Sequence, residues 1–266
     1  MLTGLFNIRN MHNQYIMNRP LKFLLAGMLI FLPLMVSATD VFQSARHRVS
    51  VLELYTSEGC SSCPPADRWF SELKEDERLW QTLIPVAFHV DYWNYIGWTD
   101  RFSSGKYSDR QRKYARTKNV STVYTPGFLL NGNEWRSFFG LRRLSVDNTE
   151  NAGLLTVNID QGEVNAFYEN RNNSVSSPVF SIAILGFDLT TRVKAGENSG
   201  KELKHDFAVL GLHSAPMSKE GNNYSITMKL PATSISAPRT AIAAWISYED
   251  DPTPVQATGG WLTVPE

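Results

Sequence analysis

Two cysteines are all that this 266-residue chain contains, and they stand three positions apart, at 60 and 63. Ahead of them, Val51-Leu52-Glu53-Leu54-Tyr55 alternates in a β-rich run. Behind them, Ala66, Trp69, Phe70 and Leu73 fall at i, i+3, i+4 and i+7 on one helical face, with Asp67 in the first turn. Residues 83–90 then form a nearly continuous apolar run, broken by Pro85 and His89, as a strand buried on both faces does. Strand, helix and strand so close together predict a βαβ unit with parallel strands, and the cysteines lie at its first strand-to-helix junction. The pair cannot staple a fold of this size, because a disulfide between them closes a tiny loop and removes little chain entropy from the unfolded state. The spacing suits redox chemistry or metal binding instead.

Further along, Phe88, Tyr92, Trp93, Tyr95 and Trp98 crowd five aromatics into a short stretch. Ser108 and Gln111 have capping-box spacing for a basic helix over 109–118. Val123-Tyr124-Thr125-Pro126 leads into a strand at 127–130, and Asn131-Gly132 is a two-residue hairpin signal. A weaker helical segment is expected around 138–146. Beyond about residue 150 the pattern is all β, with runs at 154–160, 179–188, 208–212, 224–230 and 241–248 between Gly-, Asn-, Ser- and Pro-rich linkers. That spacing predicts a small sandwich or sheet. The expected organisation is an α/β domain over 48–150 followed by a mainly β domain over 151–266.

The formal charge is zero, but Arg9, Arg19 and Lys22 lie in residues 1–38, which contain no acid, so the remainder carries −3. A mildly acidic body has no electrostatic footprint for nucleic acid. Arg19 and Lys22 precede an apolar run over 23–36, and Val36 and Ala38 occupy the −3 and −1 positions of a cleavage site. This is the layout of a secretory signal peptide over residues 1–38. The apolar run has 14 residues and includes Gly27 and Pro33, short of the roughly 20 that span a bilayer. The expectation is export to the periplasm or beyond, cleavage after Ala38, and no membrane attachment thereafter.

A disulfide oxidoreductase needs one exposed, easily ionised thiol and a second within reach to resolve the mixed disulfide. A CxxC at a strand-to-helix junction supplies both, the first cysteine at an exposed tip near the helix N-terminus and the second tucked inward. Strand, Cys60-Ser61-Ser62-Cys63, helix, strand, and then Thr125-Pro126 opening an antiparallel hairpin resembles the thioredoxin fold. More closely, LYTSEGCSSCPPAD, AFHVDYWNYIGW, DRQRKYA and VYTPGFLLNG, with GENSGKELKH near residue 200, are similar to a bacterial family of secreted thioredoxin-like proteins known only as a domain of unknown function. The resemblance spans roughly 48–266. It implies a thioredoxin-like α/β domain with a helical insertion, Cys60 as nucleophile, Cys63 as resolving thiol and Pro126 as a cis-proline facing them. Two departures stand out: Gly59, not tryptophan, precedes Cys60, and Pro64-Pro65 follows Cys63. Proline belongs in a first helical turn, so the helix either starts near Cys63, with Cys60 in a preceding turn, or forgoes a donor at Pro64.

Parallel strands end on one edge of a sheet, so residues 91–93 should join Cys60 there, with Thr125 and Pro126 opposite. Tyr92 and Trp93 are therefore candidate substrate-binding residues together with Thr125, and Trp98 either joins them or caps the core. Glu58 is a candidate proton shuttle or a plain surface acid. His89 reads as a satisfied core histidine, and the helix bearing Arg110, Arg112, Lys113 and Arg116 reads as a solvated face. His205 and His213 lack metal-ligand spacing to either cysteine. The reading calls for no cofactor and no metal, and its partner is a protein or small thiol or disulfide. Two other functions stay open: a soft-cation module holding Cu(I) through the two thiolates, and a binding or structural protein with a permanent Cys60–Cys63 disulfide.

Overall fold

The computed structural model describes residues 39–117, 120–136, 144–146, 149–171 and 177–263. The expected signal peptide lies outside these residues, as does the helical segment expected around 138–146 apart from 144–146. In chain order the elements are β1 (Asp40–Gln43), β2 (Ser50–Thr56), α1 (Pro64–Glu72), β3 (Leu83–His89), α2 (Gly105–Arg116), β4 (Gly127–Leu130) and β5 (Asn133–Glu134). There follow β6 (Leu154–Asp160), β7 (Glu163–Glu169), β8 (Pro178–Phe187), β9 (Leu189–Arg192), β10 (Glu202–His205), β11 (Ala208–Pro216), β12 (Ser218–Glu220), β13 (Asn223–Lys229), β14 (Arg239–Tyr248) and β15 (Gln256–Trp261).

β2 and β3 pair in parallel, from Ser50 opposite Leu83 to Thr56 opposite His89, with α1 between them in the chain. β4 runs antiparallel on the other side of β2 and turns into β5 through Asn131 (φ 50°) and Gly132 (φ 78°), the two positive φ values that a tight hairpin turn of this type requires. These pieces do not make a separate α/β domain, and the expected thioredoxin-like α/β domain followed by a β domain is corrected here. The protein is mostly β. Strands from both halves of the chain form one eight-stranded sheet in the order β15-β14-β8-β11-β3-β2-β4-β5. A five-stranded sheet, β1-β6-β7-β13-β12, and the β9–β10 pair complete the strands of the described residues.

The physical reason lies in the edges and faces that had to be covered. β3 is buried along its whole length, so its outer edge cannot stay unpaired. β11 takes that edge beside Ala87, where the Ala87 amide donates to the Phe207 carbonyl (2.9 Å). β8 and β14 are apolar on both faces. Phe180, Ile182, Ile242, Ala244 and Ile246 pack with Leu155, Val157 and Val164 of the five-stranded sheet. Ala183, Leu185, Phe187, Ala241, Ala243 and Trp245 join the core that contains β2, β3 and both helices. Where a doubly wound fold would use more helices, this chain covers its sheet with a second sheet.

α2 also differs from expectation. It begins at Gly105, with Ser104 as N-cap, rather than at 109. Ser108 and Gln111 are buried inside it and hold neighbouring segments: Ser108 Oγ accepts from the Asp91 amide and Gln111 Nε2 donates to the Tyr124 carbonyl. Arg110 is not on a solvated face. It grips the buried Glu53 of β2 through Nε (2.9 Å) and Nη2 (2.7 Å), while the Tyr55 and Tyr114 hydroxyls donate to the same carboxylate at 2.7 Å each. Four donors on one carboxylate anchor α2 to the sheet.

Candidate functional site

Cys60 and Cys63 form a disulfide, with Cα atoms 5.4 Å apart. Pro64 and Pro65 occupy the first helical turn of α1, where no amide donor is needed, so the helix starts late and Cys63 is its N-cap residue. Cys60 therefore stands in the turn before the helix. Its amide donates to the Ser57 carbonyl (3.1 Å), and the Cys63 amide donates to the Cys60 carbonyl (3.2 Å). The expectation of an exposed Cys60 is corrected: it is 1 % exposed and Cys63 0 %, and only Ser61 and Ser62 of the motif face solvent. Ser62 Oγ lies 3.3 Å from Cys60 Sγ.

The residues after β3 wall this turn. A Cβ at Gly59 would stand 3.0 Å from Trp93 Cβ, so glycine spares Trp93 a shift of a few tenths of an ångström and lets the two segments pack closely. Trp93 Nε1 donates to Thr125 Oγ1 (2.7 Å), and the Thr125–Pro126 peptide bond is cis. Tyr92 donates its hydroxyl to Gln111 Oε1 (3.2 Å), and burial pushes its pKa up to about 12. Tyr95 is 82 % exposed, while Tyr92, Trp93 and Trp98 are half-buried. The structure thus brings Tyr92, Trp93, Thr125 and Gly59 to one neighbourhood.

Beneath the turn lies a group of buried titratable side chains whose assembly the sequence did not reveal. Glu58 is fully buried, not a surface acid. Its Oε2 accepts from Trp98 Nε1 (2.8 Å), and its Oε1 stands 3.2 Å from His205 Nε2. Asp100 accepts from the amides of Glu58 and Phe102, each at 2.9 Å, and its Oδ2 lies 2.7 Å from His89 Nδ1. The two histidine rings meet edge to face at 4.8 Å. Asp67, one turn into α1, accepts from Thr56 Oγ1 (2.7 Å).

Burial opposes charge on His89, but the Asp100 carboxylate more than offsets it and holds the imidazole pKa above its ordinary value. Burial likewise opposes charge on Asp100, and His89 with the two backbone donors draws its pKa below the ordinary range. Asp67 goes the other way, since burial raises it further than the histidines and Thr56 pull it down. His89 Nε2 is buried and has no hydrogen-bond partner among the described residues. Among those residues no group of three or more His, Cys, Asp and Glu side chains is placed to hold a metal ion.

A second missed feature comes from residues 196–205. Asn198, fully buried, donates through Nδ2 to the carbonyls of Glu58 and Cys60, both at 2.9 Å. Glu197 accepts from the Ser61 amide (3.1 Å). The stretch GENSGKELKH, noticed above only for its resemblance, was the available signal for both Asn198 and His205.

The DUF1223 family profile, described as a protein of unknown function, matches residues 51–247. The chain belongs to DUF1223. That match covers β2, the CxxC turn, the aromatic wall and Asn198. No curated protein matches this DUF1223 chain. Among solved structures it is similar to protein AGR_C_4864 from Agrobacterium tumefaciens, with 24 % identity, TM-score 0.55, and coverage of 81 % of this chain and 95 % of that one. It is also similar to HBP35 of Porphyromonas gingivalis, with 13 % identity, TM-score 0.56, and coverage of 84 % and 79 %. Both likenesses concern the fold.

Proposed function

We propose that this DUF1223 chain is an exported thiol–disulfide exchange protein acting through Cys60 and Cys63. The observation that carries the reading is the Cys60–Cys63 disulfide in the turn between β2 and α1, with Cys63 as the helix N-cap residue. A helix N-terminus favours thiolate and Cys63 sits there, so in the disulfide Cys63 is the better leaving sulfur and exchange is directed to Cys60 Sγ. In the reduced protein the Cys60 thiolate attacks a client disulfide, forming a Cys60–client bond and releasing one client thiolate. The Cys63 thiolate then attacks Cys60 Sγ, re-forming the internal disulfide and releasing the second. Two electrons pass to the client, and the two cysteine protons leave with its thiols; the same steps run backwards when the client is a dithiol. Tyr92, Trp93 and Thr125 form the surface against which the client lies, with the buried cis-Pro126 behind Thr125, and Glu58 is the candidate proton shuttle through His205. Neither cofactor nor metal enters these steps.

Trapping tests this. Cys63→Ala should accumulate a mixed disulfide through Cys60, and Cys60→Ala should accumulate none. The burial of both sulfurs favours one rival, a permanent structural disulfide. A reduction potential for the pair below about −300 mV, with no trapping, would establish that rival instead. Export is supported by the layout of residues 1–38, and mass spectrometry of exported protein should give Thr39 as the first residue.

A further inference from the structure

β8 and β11 pair as far as Gly186 opposite Ala208, and there the chain leaves the sheet. Residues 189–205 form an arm in which β9 and β10 pair only with each other, Leu189 opposite His205 through Arg192 opposite Glu202. Both roots are sharp bends at non-glycine residues with positive φ, Asp188 (55°) and Phe207 (58°). Lys74, just beyond α1, bridges both root acids, Asp188 at 3.0 Å and Asp206 at 2.9 Å. The roots of the arm thus lie beside the end of α1, β10 packs against that helix, and the tip rests on the CxxC turn ahead of it.

We propose that this arm controls access of thiols to the Cys60–Cys63 disulfide, and that Asn198 is the positioning residue that holds it shut. The proposal rests on the exchange reading above and adds its access control. A thiolate must approach Sγ opposite the sulfur it displaces, and both sulfurs are buried. The tip is fastened to the turn by a short set of polar contacts. Asn198 supplies two, Glu197 receives one from Ser61, and His205 meets Glu58 at the base of the arm. Gly196 packs so closely that a Cβ there would stand 3.3 Å from Trp98 Cβ. Between 193 and 201 only Val193 and Asn198 are buried. A segment with few buried apolar groups and a handful of hydrogen bonds opens locally, far more readily than the sheets unfold. Lifting it uncovers the turn and frees the carbonyls of Glu58 and Cys60 for the backbone of an extended client.

The test follows reduction of the oxidised full chain by dithiothreitol, quenched with a maleimide and read by mass. Asn198→Ala should raise the reduction rate about tenfold or more, while Val157→Ala, a cavity in the five-stranded sheet, should change it less than twofold. Hydrogen exchange on the wild-type chain gives a reading independent of any variant. The Ser61 amide, whose bond runs to Glu197 of the arm, should exchange at least about a hundredfold faster than the amides of β14. An unchanged reduction rate in Asn198→Ala, equal acceleration by Val157→Ala, or a Ser61 amide as protected as β14 would each overturn the proposal. Rapid reduction of Asn198→Ala alongside no trapping by Cys63→Ala would keep the arm as a cover and remove the exchange reading.

Discussion

Asp100 holds the backbone just ahead of the cysteines, and replacing it by asparagine isolates what its charge does. The carboxylate takes three donors: the Glu58 amide and His89 on Oδ2, and the Phe102 amide on Oδ1. An asparagine has one acceptor oxygen. Placed where Oδ2 was, that oxygen keeps Glu58 and His89 as neutral bonds, each weaker by about 1 kcal/mol than a bond to a charged group. Its NH2 then faces the Phe102 amide, leaving a buried donor unpaired at about 1–3 kcal/mol. The opposite flip leaves two donors facing the NH2 and is worse. The expected loss is about 3–5 kcal/mol at pH 7, or roughly 6–20 °C in Tm for a unit of this size. Urea unfolding followed by tryptophan fluorescence measures it. Asp100 has a lowered folded pKa, so its stabilisation is present above its unfolded value near 3.8 and is lost as pH falls through the folded value. The gap between the two proteins should therefore close in strong acid. A loss under about 1 kcal/mol at pH 7, or a gap unchanged in acid, would refute the reasoning.

Three further outcomes are expected. Arg110→Met strands the buried Glu53 carboxylate with only the two tyrosine donors, and should cost about 3–5 kcal/mol in urea unfolding. The raised folded pKa of His89 gives stability that is present below its unfolded value of about 6.5 and lost as pH rises through the folded value. Calorimetric Tm should accordingly fall on that alkaline side in the wild type, and His89→Gln should flatten the fall. Gly59→Ala drives a methyl against Trp93 and should cost about 1–3 kcal/mol, with a changed near-ultraviolet circular dichroism signal as Trp93 moves from Thr125.

Local chemistry made much of this molecule readable. β2, α1 and β3 follow from alternation, helical spacing and a buried apolar run; Pro64-Pro65 places the helix start; Asn131-Gly132 places a hairpin. β6 falls on the expected 154–160, and β8, β11, β13 and β14 overlap their expected runs. β7 was legible and overlooked: Val164, Ala166 and Tyr168 alternate inward against Glu163, Asn165 and Phe167. β9 and β10, at four residues each, are too short for a period to show.

Which strands share a sheet was decided only in three dimensions. The apolar run says that β3 is buried on both faces, but not that β11 lies between it and β8 or that a second sheet, rather than helices, covers the rest. The same holds for the site. That Trp93 meets Thr125 and the turn carrying the cysteines follows from the direction of the elements they end, which local pattern dictates. Glu58 with His205, 147 residues apart, and Asn198 with the Cys60 carbonyl, 138 apart, carry no local signal. A hydrogen bond between distant residues depends on where two backbones cross, and that crossing is fixed by apolar burial summed over whole sheets. Local pattern along the chain marks the cysteine pair and the elements on either side of it; only the folded arrangement buries that pair, with Asn198 on one side and the Glu58, His205, Asp100 and His89 group beneath.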